Sequence, residues 1–114
     1  MPYLKITTNK SIDAEPKNKL LKTLSKTIAA ELAKPEQYMM VSIEPPAAML
    51  FGGADAPCAF LELRGIGLPV SKTEKLSQIL CALMESHAGI PPSRVYINFA
   101  DVPTNLWGWN SEIF

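Results

Sequence analysis

The sequence predicts an α/β (α+β) fold in which two βαβ units form a four-stranded mixed sheet packed on two antiparallel helices. Strand-like patterns and an amphipathic helical pattern follow one another as strand, helix, strand, and this order occurs twice. The two occurrences overlay as pseudo-repeats of about 55 residues, roughly 2–50 and 57–106. Because the crossover within a βαβ unit is right-handed, its two strands run parallel with the helix on one face.

The first predicted unit contains a strand, a long helix and a second strand. Alternate residues in YLKITT (3–8) are apolar, which is the period expected of a strand. Leucine and isoleucine then recur at helical spacing over roughly residues 16–33, so an amphipathic helix is expected there. Pro35 should end this helix, because the residue before a proline is disfavoured in the helical region. The segment YMMVSIEP (38–45) gives the second strand.

The second predicted unit follows a turn-rich connection and repeats this plan. CAFLELRGIG (58–67) is the third strand. In SKTE, Ser71 lies three residues before Glu74, which matches a capping box at the start of the second helix. Gly89 is expected at the end of that helix, and RVYINFADV (94–102) is the fourth strand. The remaining residues have only short-strand potential.

The face of the sheet opposite the helices has no predicted cover. The segments MMVSI and VYINF of strands two and four are nevertheless apolar nearly throughout, as is typical of strands buried on both faces. The missing cover indicates that another subunit packs on this face. Partial exposure of a mostly apolar strand is the alternative.

Length and charge restrict the class of protein. The 114 residues are expected to form one domain (1–114), and 11 basic and 11 acidic residues give no net charge. No basic run stands out, which argues against nucleic acid and anionic membranes as partners. No apolar stretch is long enough to cross a bilayer, and the first residues lack the apolar core of a signal peptide. A cytoplasmic protein is therefore expected, although secretion by a leaderless route would leave no mark in a sequence.

The sequence gives little support to metal, disulfide or triad chemistry. Cys58 and Cys81 are too few for a disulfide scaffold or a zinc cage, and each is expected to pack as a small hydrophobe. His87 is the only histidine and is expected on the surface near a helix end. We therefore expect neither a metal nor an organic cofactor.

Pro2 raises the question of chemistry at the start of the chain. Proline is small enough for Met1 to be removed, which would expose a free secondary amine; simple tolerance of many residues at position 2 is the alternative. A general base works best when its pKa lies near the working pH. Burial and a nearby cation both favour the neutral amine and lower its pKa towards that range. Lys34 would supply the cation if the fold brings it close.

The whole chain resembles the macrophage migration inhibitory factor family within the tautomerase superfamily. The joint order and spacing of several short segments, rather than any one tripeptide, make this resemblance specific. These segments are MP at the start, KPEQY (34–38), FGG (51–53), PCA (57–59), GIG (65–67), SRVYIN (93–98) and GWN with a terminal phenylalanine (108–114).

The resemblance implies a homotrimer with active sites at subunit boundaries and keto–enol tautomerisation of small phenylpyruvate-type keto acids. It implies that Pro2, as a free amine, is the proton carrier and that no cofactor takes part. Lys34 matches the residue that binds the substrate carboxylate, and Ile66 matches a position whose backbone N–H contacts the substrate. Tyr96 and Asn98 match residues that line the pocket from a neighbouring subunit.

Tyr38, Trp109 and Phe114 match aromatic positions at the rim of the site. Each of the matched residues also has a structural interpretation that needs no function. Lys34 could complement the dipole at a helix C-terminus, and GIG could be only a flexible strand end. Asn98 could make a structural hydrogen bond. The three aromatic residues could be ordinary core or interface side chains.

Departures from the family's pattern restrict what carries over. Leu61 replaces the second cysteine of a Cys-x-x-Cys segment found in some members, so dithiol chemistry is not available there. Trp107 stands where a smaller aliphatic residue is common, and is expected to narrow the pocket or change substrate preference. Asp13 and Pro46 fall near the charged positions that vertebrate cytokine members use for receptor contact, which argues against receptor binding. The alternative function is a cytokine-like or intracellular protein-binding homologue with weak or vestigial tautomerase activity.

Overall fold

The computed structural model describes residues 1–114 and contains four main strands, two α-helices and a pair of very short strands. Short 3₁₀ turns connect several of these elements. In chain order the elements are β1 (Pro2–Thr8), α1 (Ala14–Glu31), β2 (Met40–Ile43), β3 (Ala59–Gly65), α2 (Thr73–Ala88), β4 (Val95–Asp101), β5 (Gly108–Trp109) and β6 (Glu112–Ile113).

The main sheet has the strand order β2-β1-β3-β4. β1 pairs with β2 in parallel and β3 pairs with β4 in parallel, so each βαβ unit has the predicted geometry. The central pair β1 and β3 is antiparallel, with Pro2 opposite Gly65 and Thr8 opposite Ala59. The predicted four-stranded mixed sheet with two helices is confirmed.

Alternating residues of the central strands form the core between sheet and helices. In β1 and β3 every second residue is buried, and the apolar stripes of α1 and α2 pack on them. Fully burying one such aliphatic side chain contributes about 1.5–3 kcal/mol. The side chains with no exposed surface include Leu4, Ile6, Leu20, Leu24, Ile28, Leu61, Leu63, Leu76, Leu80 and Met84.

α1 ends earlier than the position of Pro35 predicts. Its last residue is Glu31, and Ala33 adopts a left-handed conformation with φ of 54°. The Ala33 N–H donates to the Ala30 carbonyl at 3.1 Å and the Lys34 N–H donates to the Ala29 carbonyl at 2.9 Å. These two bonds form a Schellman motif, which ends the helix before the proline can.

The start of α2 differs from the predicted capping box, whereas its end is as predicted. Ser71 lies in the 3₁₀ turn Val70–Lys72, and α2 begins at Thr73 with no side-chain cap hydrogen bond. Gly89 follows the helix with φ of 66°, and its N–H donates to the Glu85 carbonyl at 3.0 Å. Glycine is favoured here because it has no Cβ to oppose the left-handed conformation.

The sheet face turned away from the helices is open in the single chain. It carries a mixture of aromatic and charged side chains, including Tyr3, Phe60, Arg64 and Tyr96. Exposure of Tyr96 reaches 61%. None of the helices combines the length and the apolar character needed to cross a bilayer.

Candidate active site

Pro2, Lys34 and Ile66 line one cleft at the end of the sheet where β1 begins. Pro2 is buried and lies opposite Gly65, the last residue of β3, while Ile66 follows in the next turn. Leu32 and Leu68 supply apolar walls. The structure therefore brings together the three residues that the sequence predicted for the reacting part of the site.

The topology explains this convergence. Because β1 and β3 are antiparallel, the start of β1 lies at the end of β3. α1 runs antiparallel to β1, so the C-terminus of α1 lies at the same end of the sheet as the start of β1. The Schellman motif then fixes the backbone of Lys34 through its bond to the Ala29 carbonyl.

Lys34 is an unpaired cation in this cleft. Its ammonium group takes part in neither of the two salt bridges of the chain, Arg64–Glu62 and Lys75–Glu31, nor in any side-chain hydrogen bond. The carbonyl end of α1 is instead capped by Lys72, whose Nζ donates to the Glu31 carbonyl at 2.7 Å. Lys72, and not Lys34, therefore complements the end of the helix.

The amine at the start of the chain responds to this environment. The pKa of the Met1 amine is lowered from its ordinary value of 8.0, mainly by partial burial and to a smaller extent by the positive charge of Lys34. Both effects disfavour the protonated form. The cleft therefore favours a neutral amine at this point.

The turn that carries Ile66 is held by a residue that sequence reasoning missed. Asp101 Oδ1 accepts hydrogen bonds from the Gly67 N–H at 2.9 Å and from the Leu68 N–H at 3.2 Å. The Ile66 N–H donates to no group of the chain. The only signal for Asp101 was an acidic residue at the end of an apolar strand, and its partners became identifiable once the β3–β4 register placed it beside Gly65.

An aromatic hollow adjoins the cleft on another side of Pro2. Tyr38, Trp107 and Trp109 line it together with methionines of the same region. The Tyr38 and Trp109 rings meet edge to face with centroids 6.0 Å apart, and Trp109 stacks on Phe114 at 5.9 Å. The three predicted rim residues thus form one cluster beside Pro2, and Trp107 lies where it can narrow the hollow.

Neither Tyr96 nor Asn98 lines this cleft within one chain. Tyr96 lies opposite Phe60, whereas Pro2 lies opposite Gly65 at the other end of β3. Five residues of strand separate these two rows by about 16 Å. Tyr96 packs instead on Phe51, with ring centroids 4.7 Å apart.

Fold and cleft together define the chain as a protein of the tautomerase fold, and comparisons with known proteins agree. Residues 1–114 match the family model described as macrophage migration inhibitory factor. The macrophage migration inhibitory factor of Xenopus tropicalis is 37% identical over 116 residues, covering 100% of this chain and 99% of the relative. That of Mus musculus is 34% identical over 115 residues, with the same coverage.

Solved structures show the same likeness. The macrophage migration inhibitory factor homologue from Prochlorococcus marinus superposes with a TM-score of 0.93 at 39% identity, covering 98% of each chain. The macrophage migration inhibitory factor of Toxoplasma gondii gives 0.93 at 31% identity, covering 98% of this chain and 99% of that one. The chain belongs to the macrophage migration inhibitory factor family.

Proposed function

We propose that this protein is a keto–enol tautomerase that acts on phenylpyruvate-type keto acids. The amine of Pro2, exposed by removal of Met1, is the general base and general acid. The observation that carries this proposal is the convergence of Pro2, Lys34 and Ile66 in one cleft. Membership of a family with a tautomerase fold supports it further.

Enolisation requires a base that can take a proton from the carbon next to the keto group. The electron pair of that C–H bond forms the carbon–carbon double bond, and the keto oxygen gains negative charge and then a proton. A neutral prolyl nitrogen can take the first proton and, as the protonated amine, deliver it to the enolate oxygen, which restores the neutral amine and makes it both base and acid. Burial and the Lys34 charge lower the pKa of the Met1 amine in the same cleft, and we expect the same two causes to favour the neutral form of a Pro2 amine.

Lys34 and Ile66 provide the contacts for the acidic end of the substrate. The unpaired Lys34 ammonium can bind the carboxylate and stabilise the charge that develops on the keto oxygen. The Ile66 N–H is a free donor beside it. The hollow lined by Tyr38, Trp107 and Trp109 offers an apolar surface for the aromatic ring of the substrate.

The proposal includes a homotrimer in which Tyr96 and Asn98 line the site of a neighbouring protomer. Support comes from the open sheet face and from the exposure of Tyr96, which has no role in the cleft of its own chain. Light scattering at micromolar concentration should give a trimer mass. A clean monomer would contradict a composite site.

Steady-state enolisation of phenylpyruvate tests the proposal, using protein whose loss of Met1 is verified by intact-mass measurement. Pro2→Gly should lower kcat/KM by about 10²-fold or more, because the secondary amine is lost while a primary amine remains. Lys34→Ala should also lower kcat/KM, whereas Lys22→Ala on the exposed side of α1 should not. If wild type exceeds neither Pro2→Gly nor Lys34→Ala, the protein-binding alternative becomes the better hypothesis.

A further inference from the structure

The turn that follows β3 is held by hydrogen bonds on both sides of Ile66, whose own N–H has no partner in the chain. On one side the Gly65 carbonyl accepts from the Val102 N–H at 2.9 Å. On the other side Asp101 Oδ1 accepts from the Gly67 and Leu68 N–H groups at 2.9 and 3.2 Å. Ile66 lies between these anchors and its N–H has no partner in the chain.

One carboxylate oxygen therefore controls both residues that follow Ile66. Gly67 adopts a φ of 69°, which the local turn requires, and Leu68 is buried in the core. Asp101 does not line the cleft, although Ile66, Gly67 and Leu68 do. Any influence of Asp101 on a bound molecule must therefore act through the turn.

We propose that Asp101 is a positioning residue, which holds the turn so that the Ile66 N–H remains free to donate to the substrate carboxylate beside Lys34. This proposal rests on the proposed function and deepens it. An N–H that contacts the carboxylate binds substrate and transition state alike, because the carboxylate takes no part in the proton transfer. Loss of such a contact raises KM with little change in kcat.

A role in folding alone has a different kinetic signature. A variant that merely folds less completely has fewer active sites, which lowers the apparent kcat and leaves KM unchanged. The amide of Asp101→Asn keeps an oxygen that can accept both backbone bonds, whereas Asp101→Ala removes the acceptor. The two substitutions therefore separate loss of the acceptor from loss of the charge.

Kinetics on phenylpyruvate with Met1-free protein give the first test. We expect Asp101→Ala to raise KM about tenfold or more, because a hydrogen bond to a charged group contributes about 1.5–3 kcal/mol, with kcat within about threefold of wild type. Asp101→Asn should stay within about threefold of the wild-type KM. Glu85→Ala, which removes an exposed carboxylate of α2, is the control and should match wild type. An unchanged KM in Asp101→Ala, with or without a fall in kcat, overturns the proposal.

A binding measurement separates failure of this proposal from failure of the proposed function. The probe is 3-phenylpropionate, which has a carboxylate and an aromatic ring but no keto group to enolise. Titration of ¹⁵N-labelled protein should shift the Ile66 amide resonance, and the dissociation constant should rise about tenfold or more in Asp101→Ala. If wild type does not enolise phenylpyruvate yet shows this pattern, the tautomerase proposal fails and the role of Asp101 stands. If the Ile66 resonance does not move, or if Asp101→Ala binds as wild type does, the role of Asp101 is overturned.

Discussion

The two βαβ units follow the same path, but the sites where their strands begin, at opposite ends of the sheet, differ in their side chains. Pro2 begins β1, and Lys34 follows the left-handed residue that ends α1. In the second unit Ala59 begins β3, and Ile90 follows the left-handed Gly89 that ends α2. In both units a proline and a 3₁₀ turn come next. We call the end of the sheet that carries Lys34 the open end and the end that carries Ile90 the closed end.

At the closed end, side chains occupy the space and bind the backbone groups. Ile90 has no exposed surface. Asn9 Oδ1 accepts from the Cys58 N–H at 2.9 Å, and the Asn9 amide donates to two carbonyls of the preceding loop. Lys10 Nζ donates to the Ala88 carbonyl at the end of α2. At this end Ile90 therefore fills the position that Lys34 takes in the first unit, and the neighbouring lysine, Lys10, is bound to a helix carbonyl.

At the open end the corresponding groups are left without partners. Lys34 is an unpaired cation, and the Ile66 N–H is a free donor. The buried Pro2 lies between them. The backbone forms two similar ends, and the side chains at a few positions give the open end its unpaired cation and its buried proline.

The largest expected effect comes from moving the amine out of the open end. Inserting one alanine between Met1 and Pro2 leaves an Ala–Pro start after removal of Met1, so the Pro2 nitrogen becomes an amide without a basic lone pair. We expect kcat/KM on phenylpyruvate to fall roughly 10²–10⁴-fold, the usual contribution of a general base. The melting temperature should stay near that of wild type, because the core does not change. Retained activity would show that the Pro2 nitrogen is not the base.

The second prediction places the cation of the open end in the closed end. Ile90→Lys buries a charge with no partner among apolar side chains, so the free energy of unfolding should fall by about 3–5 kcal/mol. Urea denaturation measures this change. Ile90→Met is the matched control and should cost less than about 1.5 kcal/mol, because it conserves an apolar side chain of similar volume. Equal stability of the two variants would mean that the closed end can accommodate a charge.

The third prediction gives the open end the residue of the closed end. Lys34→Ile should lower kcat/KM by about 10- to 100-fold, because a charged contact to the substrate contributes about 1.5–3 kcal/mol. The free energy of unfolding should not fall, because Lys34 makes no salt bridge that the change would break. Kinetics and urea denaturation of one preparation measure both quantities. A loss of stability without a loss of kcat/KM would make Lys34 a structural residue.

Patterns along the chain predicted the fold well, because local periodicity determines which residues face the core. The strand alternation of β1 and the leucine stripe of α1 need no knowledge of distant residues. Two helix boundaries were predicted less well, whereas α2 ends at Gly89 as expected. Pro35 was expected to end α1, but the Schellman motif at Ala33 ends it earlier. The capping box at Ser71 was wrong because a 3₁₀ turn precedes α2.

The sequence could identify residues of the candidate site only where the family resemblance or the chemistry of the residue itself points to them. The resemblance pointed to Pro2, Lys34 and Ile66, and the topology brings them together. Asp101 was missed because its role depends on the pairing of β3 with β4, which links residues far apart in the sequence. The placement of Tyr96 beside a cleft depends on a second copy of the chain, so it remains a prediction.

The smallest expected effect concerns the charge state of the open end before any substrate binds. In protein that retains Met1, the pKa of the Met1 amine lies below its ordinary value of 8.0, through burial first and the Lys34 charge second. Between the lowered native pKa and 8.0 the unfolded chain binds more protons than the folded chain, so the free energy of unfolding rises with pH across this interval. Urea denaturation over a pH series measures the slope. Acetylation of the Met1 amine should remove this rise, and Lys34→Met should reduce it only in part, because burial remains. A rise that survives acetylation would come from another group, and the two ends would then not differ in the way that the neutral-amine mechanism requires.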